Sequence, residues 1–310
     1  GKRIVDRKVV RVVTPGTVLE ANLLESASNN YLAAVIRRPP SAAIAFADIS
    51  TGEFAVTEVD TDSILEELAR LSPVEIIVEQ EDSELIDTLS SSYNLTRSKN
   101  GKFNPQWARQ KLLKLYRTRT LEPYGCENLE LAIAAAGEVI DYLEATHPLS
   151  LTQIRSLYTY SIEEYMTIDP QTRRNLELFE GGQWGRKDQS LLSVLDQTHT
   201  SMGARLLRNW LSQPLINTDA LQRRLDAVEW FHSSDLLRGK LSSLMNEISD
   251  IERIIQRTAS GIVLPRELIG LRKSLDAVPS IIDLIITKKK NPLDWLVSGL
   301  DSCDNPRFLI

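Results

Sequence analysis

The period of the apolar residues changes once along the chain, and that change restricts the fold more than any single motif does. Up to about residue 60 the apolar positions lie in short β-branched or alanine-rich runs cut by turn residues, as strands require. Lys8-Val9-Val10-Arg11-Val12-Val13 stops at Thr14-Pro15-Gly16, and residues 31–36 and 42–49 follow. Thr51-Gly52 makes a turn from which Glu53-Phe54-Ala55-Val56-Thr57 returns, so an antiparallel meander is expected. From Ser63 the spacing of Ile64, Leu65, Leu68 and Leu71 is helical instead. Val74-Glu75-Ile76-Ile77-Val78 then reads as a buried strand, residues 83–90 as a short helix and 93–96 as an edge strand. A meander followed by β-α-β-α predicts a mixed α/β sheet with helices on its faces.

Helices take over from there. Asn104-Pro105 has the form of an N-cap followed by proline at the first helical position. The helix it starts carries Trp107, Leu112, Leu115 and Tyr116, and leaves Arg109, Gln110, Lys111 and Lys114 for solvent or a partner. Residues 127–146 are rich in Ala and Leu, a good helix composition, and Pro148 ends the run. Beyond residue 150 only 157–168 keeps an extended pattern. This divides the chain into a mixed α/β domain, 1–150, and an all-α domain, 151–310.

Within the second domain, Asp169-Pro170 repeats the cap-then-proline signal, with Arg173 and Arg174 as salt-bridge partners in a helical core. From Met202, at about 100° per residue, Met202, Gly203, Leu206, Leu207, Trp210 and Leu211 share one half of a helical wheel. Arg205, Arg208, Asn209 and Ser212 take the other half. Thr200 or Ser201 caps this helix and Pro214 stops it. Thr218-Asp219 starts the next, with Leu221, Leu225, Val228 and Phe231 as its core face. Helices over 236–245, 248–259 and 264–278 follow, and their short connections favour antiparallel neighbours in a bundle. A last helix from about Ile281 runs into Lys288-Lys289-Lys290. The absence of a closing element before Ile310 reads as a truncation.

Composition excludes some roles. The net charge of −6 argues against a uniformly DNA-attracting surface, so any nucleic-acid contact needs a local basic patch. Cys126 and Cys303 match neither a metal nor a disulfide pattern, and a reducing cytoplasm is expected. The start lacks the apolar core of a secretion signal, and the run 278–286 is broken by Pro279 and Asp283, so no membrane span is expected.

Candidate chemistry is sparse. Asp48 and Glu53 on adjacent strands are a possible start of a metal-dependent nuclease centre, which needs further convergent carboxylates. The simpler reading is that Asp48 and Ser50 organise the turn before Gly52. His147, His199 and His232 have no ligand spacing. Gly181-Gly182-Gln183-Trp184-Gly185-Arg186-Lys187 is glycine-rich without being a P-loop and reads as a flexible link. Lys288–Lys290 reads as a solvated helix end. Catalytic, metal and nucleotide-binding residues are therefore assigned nowhere.

Several runs taken together resemble the MutS family of DNA mismatch-repair proteins. They are Asp169-Pro170-Gln171-Thr172-Arg173-Arg174-Asn175-Leu176-Glu177-Leu178, Ser190-Leu191-Leu192-Ser193-Val194-Leu195-Asp196 and Thr200-Ser201-Met202-Gly203-Ala204-Arg205-Leu206-Leu207. Trp210-Leu211-Ser212-Gln213-Pro214-Leu215 and Arg224-Leu225-Asp226-Ala227-Val228 continue the series. Arg11-Val12-Val13-Thr14-Pro15-Gly16-Thr17 and Asp48-Ile49-Ser50-Thr51-Gly52-Glu53-Phe54 precede it.

The resemblance implies a ribonuclease-H-like connector domain followed by an all-α core or lever domain. It also implies a longer, dimeric parent that hydrolyses ATP with Mg, grips mismatched double-stranded DNA and recruits a MutL partner. In the family the connector docks MutL, and Ala108-Arg109-Gln110-Lys111-Leu112 matches a stretch associated with that docking; Arg109, Gln110, Lys111 and Lys114 are the implied contacts. The lever, with Arg173, Arg174, Arg205 and Arg208 as struts, is expected to relay nucleotide state. The family's mismatch-reading Gly-x-Phe-x-Glu motif has no match, since Gly52-Glu53-Phe54-Ala55-Val56 ends in Val, and no P-loop is present. A monomeric, non-catalytic middle portion without its own cofactor is the expectation.

Overall fold

Runs of small and apolar residues between tight turns make the first three strands. The computed structural model describes residues 12–98, 103–152, 154, 157–182, 185–286 and 293–301. Strands β1 (Leu32–Arg38), β2 (Ser41–Asp48) and β3 (Glu53–Asp60) form the expected antiparallel meander. The β2–β3 turn closes where the Gly52 amide donates to the Asp48 carbonyl at 2.8 Å, and Gly52 adopts φ +80°, a conformation that L side chains rarely take.

Helix α1 (Ile64–Leu71) and strand β4 (Glu75–Val78) follow, then α2 (Ser83–Leu89) and β5 (Leu95–Arg97). Strand β4 adds parallel to β1 and β5 parallel to β4. Helix α3 (Pro105–Tyr116) leads to α4 (Glu130–Thr146), after which the two-residue β6 (Tyr158–Thr159) pairs parallel with β3. The sheet order is β5-β4-β1-β2-β3-β6, the mixed sheet of the expected ribonuclease-H-like connector. Helix α4 covers β1, β2 and β3, and α3 packs on α4. Burial on both faces explains why β2 reads as a near-continuous apolar run, not an alternating one. Residues 8–11 of the expected Lys8–Val13 strand lie outside the described residues, and Val12 and Val13 are not in a strand.

The remaining helices are α5 (Pro170–Asn175), α6 (Leu191–Leu195), α7 (Ser201–Ser212), α8 (Thr218–His232), α9 (Asp235–Met245), α10 (Ile251–Ala259), α11 (Pro265–Ile286) and α12 (Asp294–Val297). Their caps follow the sequence signals. Asp169 accepts from the amides of Gln171 and Thr172, both at 2.9 Å, and the Thr200 hydroxyl accepts from Gly203 at 3.0 Å. Helix α8 starts at Thr218 as expected, and Asn217 caps it, its Oδ1 accepting from Ala220 at 2.9 Å. Helix α11 corrects the expectation of a break near Pro279. It runs continuously through that proline because Leu271, Leu275, Ala277, Ile281 and Ile285 are buried along its length. Packing of that stripe outweighs the roughly 3 kcal/mol that an interior proline costs. Ala227, Ile281, Ile285 and Leu293 form one small core with Trp230, Phe231, Leu241 and Leu244, and Ile254, Leu271 and Leu275 form another.

The face assignments in α7 and α8 need a larger correction. Arg205 and Ser212 are buried, whereas Leu206 and Trp210 are exposed; Leu221, Leu225 and Val228 of α8 are exposed as well. The inward expectation thus fails at Leu206, Trp210, Leu221, Leu225 and Val228, while Phe231 of the α8 face does pack in the core and Met202, Leu207 and Leu211 are half-buried. Arg205 tolerates burial because it finds four acceptors, described below.

The chain divides into two compact units. One takes Gly1–Leu24 and Asn30–Ser161, the other Glu25–Asn29 and Ile162–Ile310. The five residues Glu25–Asn29, which precede the sheet in sequence, thus belong to the helical unit. Among the described residues, no helix is long and apolar enough to cross a membrane.

Candidate functional site

Proline at the first position and Asn104 as cap fix where α3 begins. The Asn104 side chain accepts from the Trp107 amide at 3.0 Å, which sets the phase of every residue after it. Ala108 and Leu112 face α4 and are buried. Gly137 lets the two helices approach closely: a Cβ there would come within 2.3 Å of the Ala108 Cβ.

That phase divides the four candidate docking residues into two pairs. Arg109 turns back on its own unit, donating to the Glu127 carboxylate at 2.7 Å and to the Glu127 carbonyl. The Leu121 amide and Arg109 together hold the Glu127 carboxyl below its ordinary range. Lys111 is half-buried, bonds Asp141 and Glu144 of α4 (2.8 Å to the latter) and lies 4.6 Å from the Trp107 ring centre. Burial disfavours its charge, but the two carboxylates outweigh that and raise its pKa. Arg109 and Lys111 therefore join α3 to its surroundings.

Gln110 and Lys114 are exposed, and no hydrogen bond or ion pair from their side chains to described residues is seen. They line a groove of about 800 Å³ together with Trp107, Leu115, Arg117, Ile140 and Ile154. Arg117, the C-cap of α3, follows them in the series Gln110, Lys114, Arg117 at i, i+4 and i+7. That spacing marks one helix face and was available in the sequence.

The acidic pair on the sheet is committed elsewhere. Asp48 is buried, and its carboxylate accepts from the Ser50 amide (2.8 Å), the Ser50 hydroxyl (2.7 Å) and the Asn30 amide (3.0 Å). Glu53 accepts from the hydroxyls of Tyr31 (3.0 Å) and Tyr158 (2.8 Å). Burial pushes the Tyr31 hydroxyl pKa well up, so it stays a donor. Glu67 is taken by Arg70 and Tyr160. Among the described residues, no three His, Cys, Asp or Glu side chains gather to hold a metal. The nuclease alternative at Asp48 and Glu53 finds no geometry to support it.

The glycine-rich segment is likewise unsuited to phosphate. Gly181 and Arg186 exchange backbone hydrogen bonds at 2.9 and 2.8 Å, closing a tight loop where a flexible link was expected. The Gly182 amide donates to the Glu177 carboxylate at 2.8 Å, so an anion of the chain itself takes that amide. Residues 183 and 184 lie outside the described residues, as do the Lys288–Lys290 run and Cys303. His199 bonds Asn246, and buried His147 ends α4.

In the helical unit three of the four expected strut arginines make contacts with other residues of the unit. Arg205 bonds Asp250, Glu252 and the Ser26 carbonyl. Arg173 bonds the carbonyls of Ile168 (3.0 Å) and Ser212 (2.7 Å), and Arg208 lies 4.6 Å from the Phe179 ring centre. Arg174 is exposed.

Comparison with known proteins agrees with this layout. Residues 30–155 match the model of MutS domain II and residues 171–303 that of MutS domain III. The DNA mismatch repair protein MutS of Dehalococcoides mccartyi (strain ATCC BAA-2266) is 43% identical over 280 residues, covering 90% of this chain and 32% of that protein. The protein of the same name from Symbiobacterium thermophilum is 39% identical over 317 residues, covering 100% of this chain and 36% of its own length. The chain thus spans about a third of the length of the curated relatives it matches. With domains II and III matched in sequence order, the chain belongs to the MutS family of DNA mismatch-repair proteins.

Proposed function

We propose that the chain acts as the connector and core of a longer mismatch-repair ATPase, docking a MutL-type partner on the exposed face of α3. The observation that carries this reading is the division of that helix. Arg109 and Lys111 lock it in place, while Gln110 and Lys114 stay open beside a groove. A docking helix needs both, a rigid scaffold and polar groups left free for recognition.

The helical unit serves the same longer protein as a relay between nucleotide state and grip on mismatched duplex DNA. Helix α11, about 33 Å long at 1.5 Å per residue, is a suitable rigid element. ATP and Mg are assigned on this reading to other parts of that longer protein, since no P-loop occurs in this sequence. The chain itself is non-catalytic and monomeric on this reading, and the parent dimeric and cytoplasmic.

The experiment is binding of the cognate MutL to the chain, measured by interferometry, with Gln110→Glu/Lys114→Glu as the test variant. Lys111 is left intact, since its reversal would set three negative charges together between α3 and α4. Weakening by about tenfold, the worth of 1.4 kcal/mol, supports docking at α3; unchanged affinity in a folded variant sinks it.

A further inference from the structure

The groove beside α3 deepens the docking proposal and rests on it. We propose that it receives a peptide segment of the partner in which a large apolar side chain is flanked by carboxylates.

Its lining is divided by chemistry. Trp107, Leu115, Ile140, Leu151 and Ile154 supply apolar surface, which offers a side chain burial and offers a phosphate nothing. Among the described residues, three cations line the groove, Lys111, Lys114 and Arg117, against two carboxylates, Asp141 and Glu144. Both carboxylates are already bound to Lys111. Lys114 and Arg117 are exposed and make no side-chain ion pair with described residues. The groove therefore keeps a positive excess in a chain whose net charge is −6. A nucleic-acid backbone has nothing to bury on the apolar lining, whereas an acidic-apolar peptide fills it and sets its carboxylates against Lys114 and Arg117, so such a peptide is the better fit.

Arg117 supplies an independent reason. It caps the C-terminus of α3 with φ +52°, the left-handed region in which glycine is the usual residue. The Arg117 guanidinium is held at the groove on this backbone and makes no side-chain hydrogen bond or ion pair with described residues. Strain of this kind clusters where recognition needs a particular group in a particular place.

The test begins with selection of displayed random dodecapeptides on the immobilised chain, followed by fluorescence anisotropy of the most enriched peptide. Enriched sequences should carry Asp or Glu beside Leu, Ile, Phe or Trp. Arg117→Gly should weaken the peptide about two- to fivefold, as loss of one exposed ion pair does, while the thermal midpoint holds or rises. A purely structural Arg117 would show a lowered midpoint with unchanged binding. No enrichment, basic consensus sequences, or displacement of the peptide by duplex DNA at equal concentration would overturn the proposal. Competition separates it from the reading beneath it. If the cognate MutL binds the chain and the peptide does not displace it, the groove assignment fails and docking stands. If MutL does not bind the chain at all, both fail.

Discussion

Arg205 and Asp250 meet through two parallel hydrogen bonds inside the helical unit, Nη1 to Oδ2 at 2.7 Å and Nη2 to Oδ1 at 2.9 Å. Arg205 is 3% exposed, so its charge has little water to fall back on. Glu252 accepts a further bond at 2.9 Å and the Ser26 carbonyl another at 3.1 Å, which completes the guanidinium's surroundings. A bidentate arginine–carboxylate pair is among the stronger polar contacts available to a protein. Removing one partner leaves the other buried and uncompensated. Arg205→Met is therefore expected to destabilise the helical unit by about 3–5 kcal/mol, read as a lower urea midpoint. A loss under about 1 kcal/mol would show that methionine packing replaces the pair.

Arg253 makes a second hold on the same segment. Its Nη1 donates to the Glu25 carbonyl at 2.9 Å and its Nη2 to the Ser28 carbonyl at 2.6 Å, while Lys187 bonds the Glu25 carboxylate at 2.8 Å. A planar fork spans two carbonyls in a way that a lysine ammonium does not. Arg253→Lys should keep the charge and still free Glu25–Asn29, raising amide hydrogen exchange there about tenfold, the effect of some 1.4 kcal/mol in local opening. Exchange that stays at the parent rate would mean the segment is held by other contacts.

Much of this architecture was legible in the sequence, and the misses have a common cause. The caps at Asn104, Asp169 and Thr200 and the meander of β1 to β3 depend on residues within a few positions of each other. The inward side of α7 does not. The acids that make Arg205 a core residue lie 45 and 47 positions away, so a wheel that treats arginine as polar turns the helix outward. Lys111 reads in the sequence as left for solvent or a partner for the same reason, its carboxylates being on another helix. Pro279 was read as a breaker because local propensity was not weighed against the buried stripe of α11. Only Arg117 was missed with its signal in plain view.

The helical unit should lose stability in acid. Burial opposes the Asp250 charge, but the bonds from Arg205 outweigh it and hold the carboxyl below its ordinary value. Glu25, through Lys187, and Glu267, through the Leu264 amide and Arg257, are lowered as well. A depressed carboxyl contributes stability that is present above its unfolded value, about 3.9 for Asp, and lost as pH falls through the folded one. Tryptophan fluorescence in urea should therefore show a flat midpoint from pH 7 to about 5 and a falling one below about 4, with up to about 1.4 kcal/mol per pH unit from Asp250 and less from Glu25, whose exposed pair with Lys187 is screened by solvent. Asp250→Asn should lower the midpoint at pH 7 and flatten the acid limb. An acid limb of unchanged slope would remove Asp250 from the account.

Gly137 decides how close α3 and α4 can lie, and so the width of the groove between them. Two effects of Gly137→Ala oppose each other. Alanine in a helix interior gains about 1 kcal/mol over glycine. The added Cβ, however, would stand 2.3 Å from the Ala108 Cβ and 2.9 Å from its Cα, and the second of these atoms is backbone that cannot rotate away. Overpacking of this kind costs about 1–3 kcal/mol, so the net effect is destabilising. Adding Ala108→Gly removes the nearer clash and leaves the one with Cα, which predicts partial rescue in a double-mutant cycle of thermal midpoints. The same single variant should weaken peptide binding to the groove by pushing the helices apart. A Gly137→Ala protein more stable than its parent would show that the two helices separate without cost, and that nothing in their contact fixes the groove.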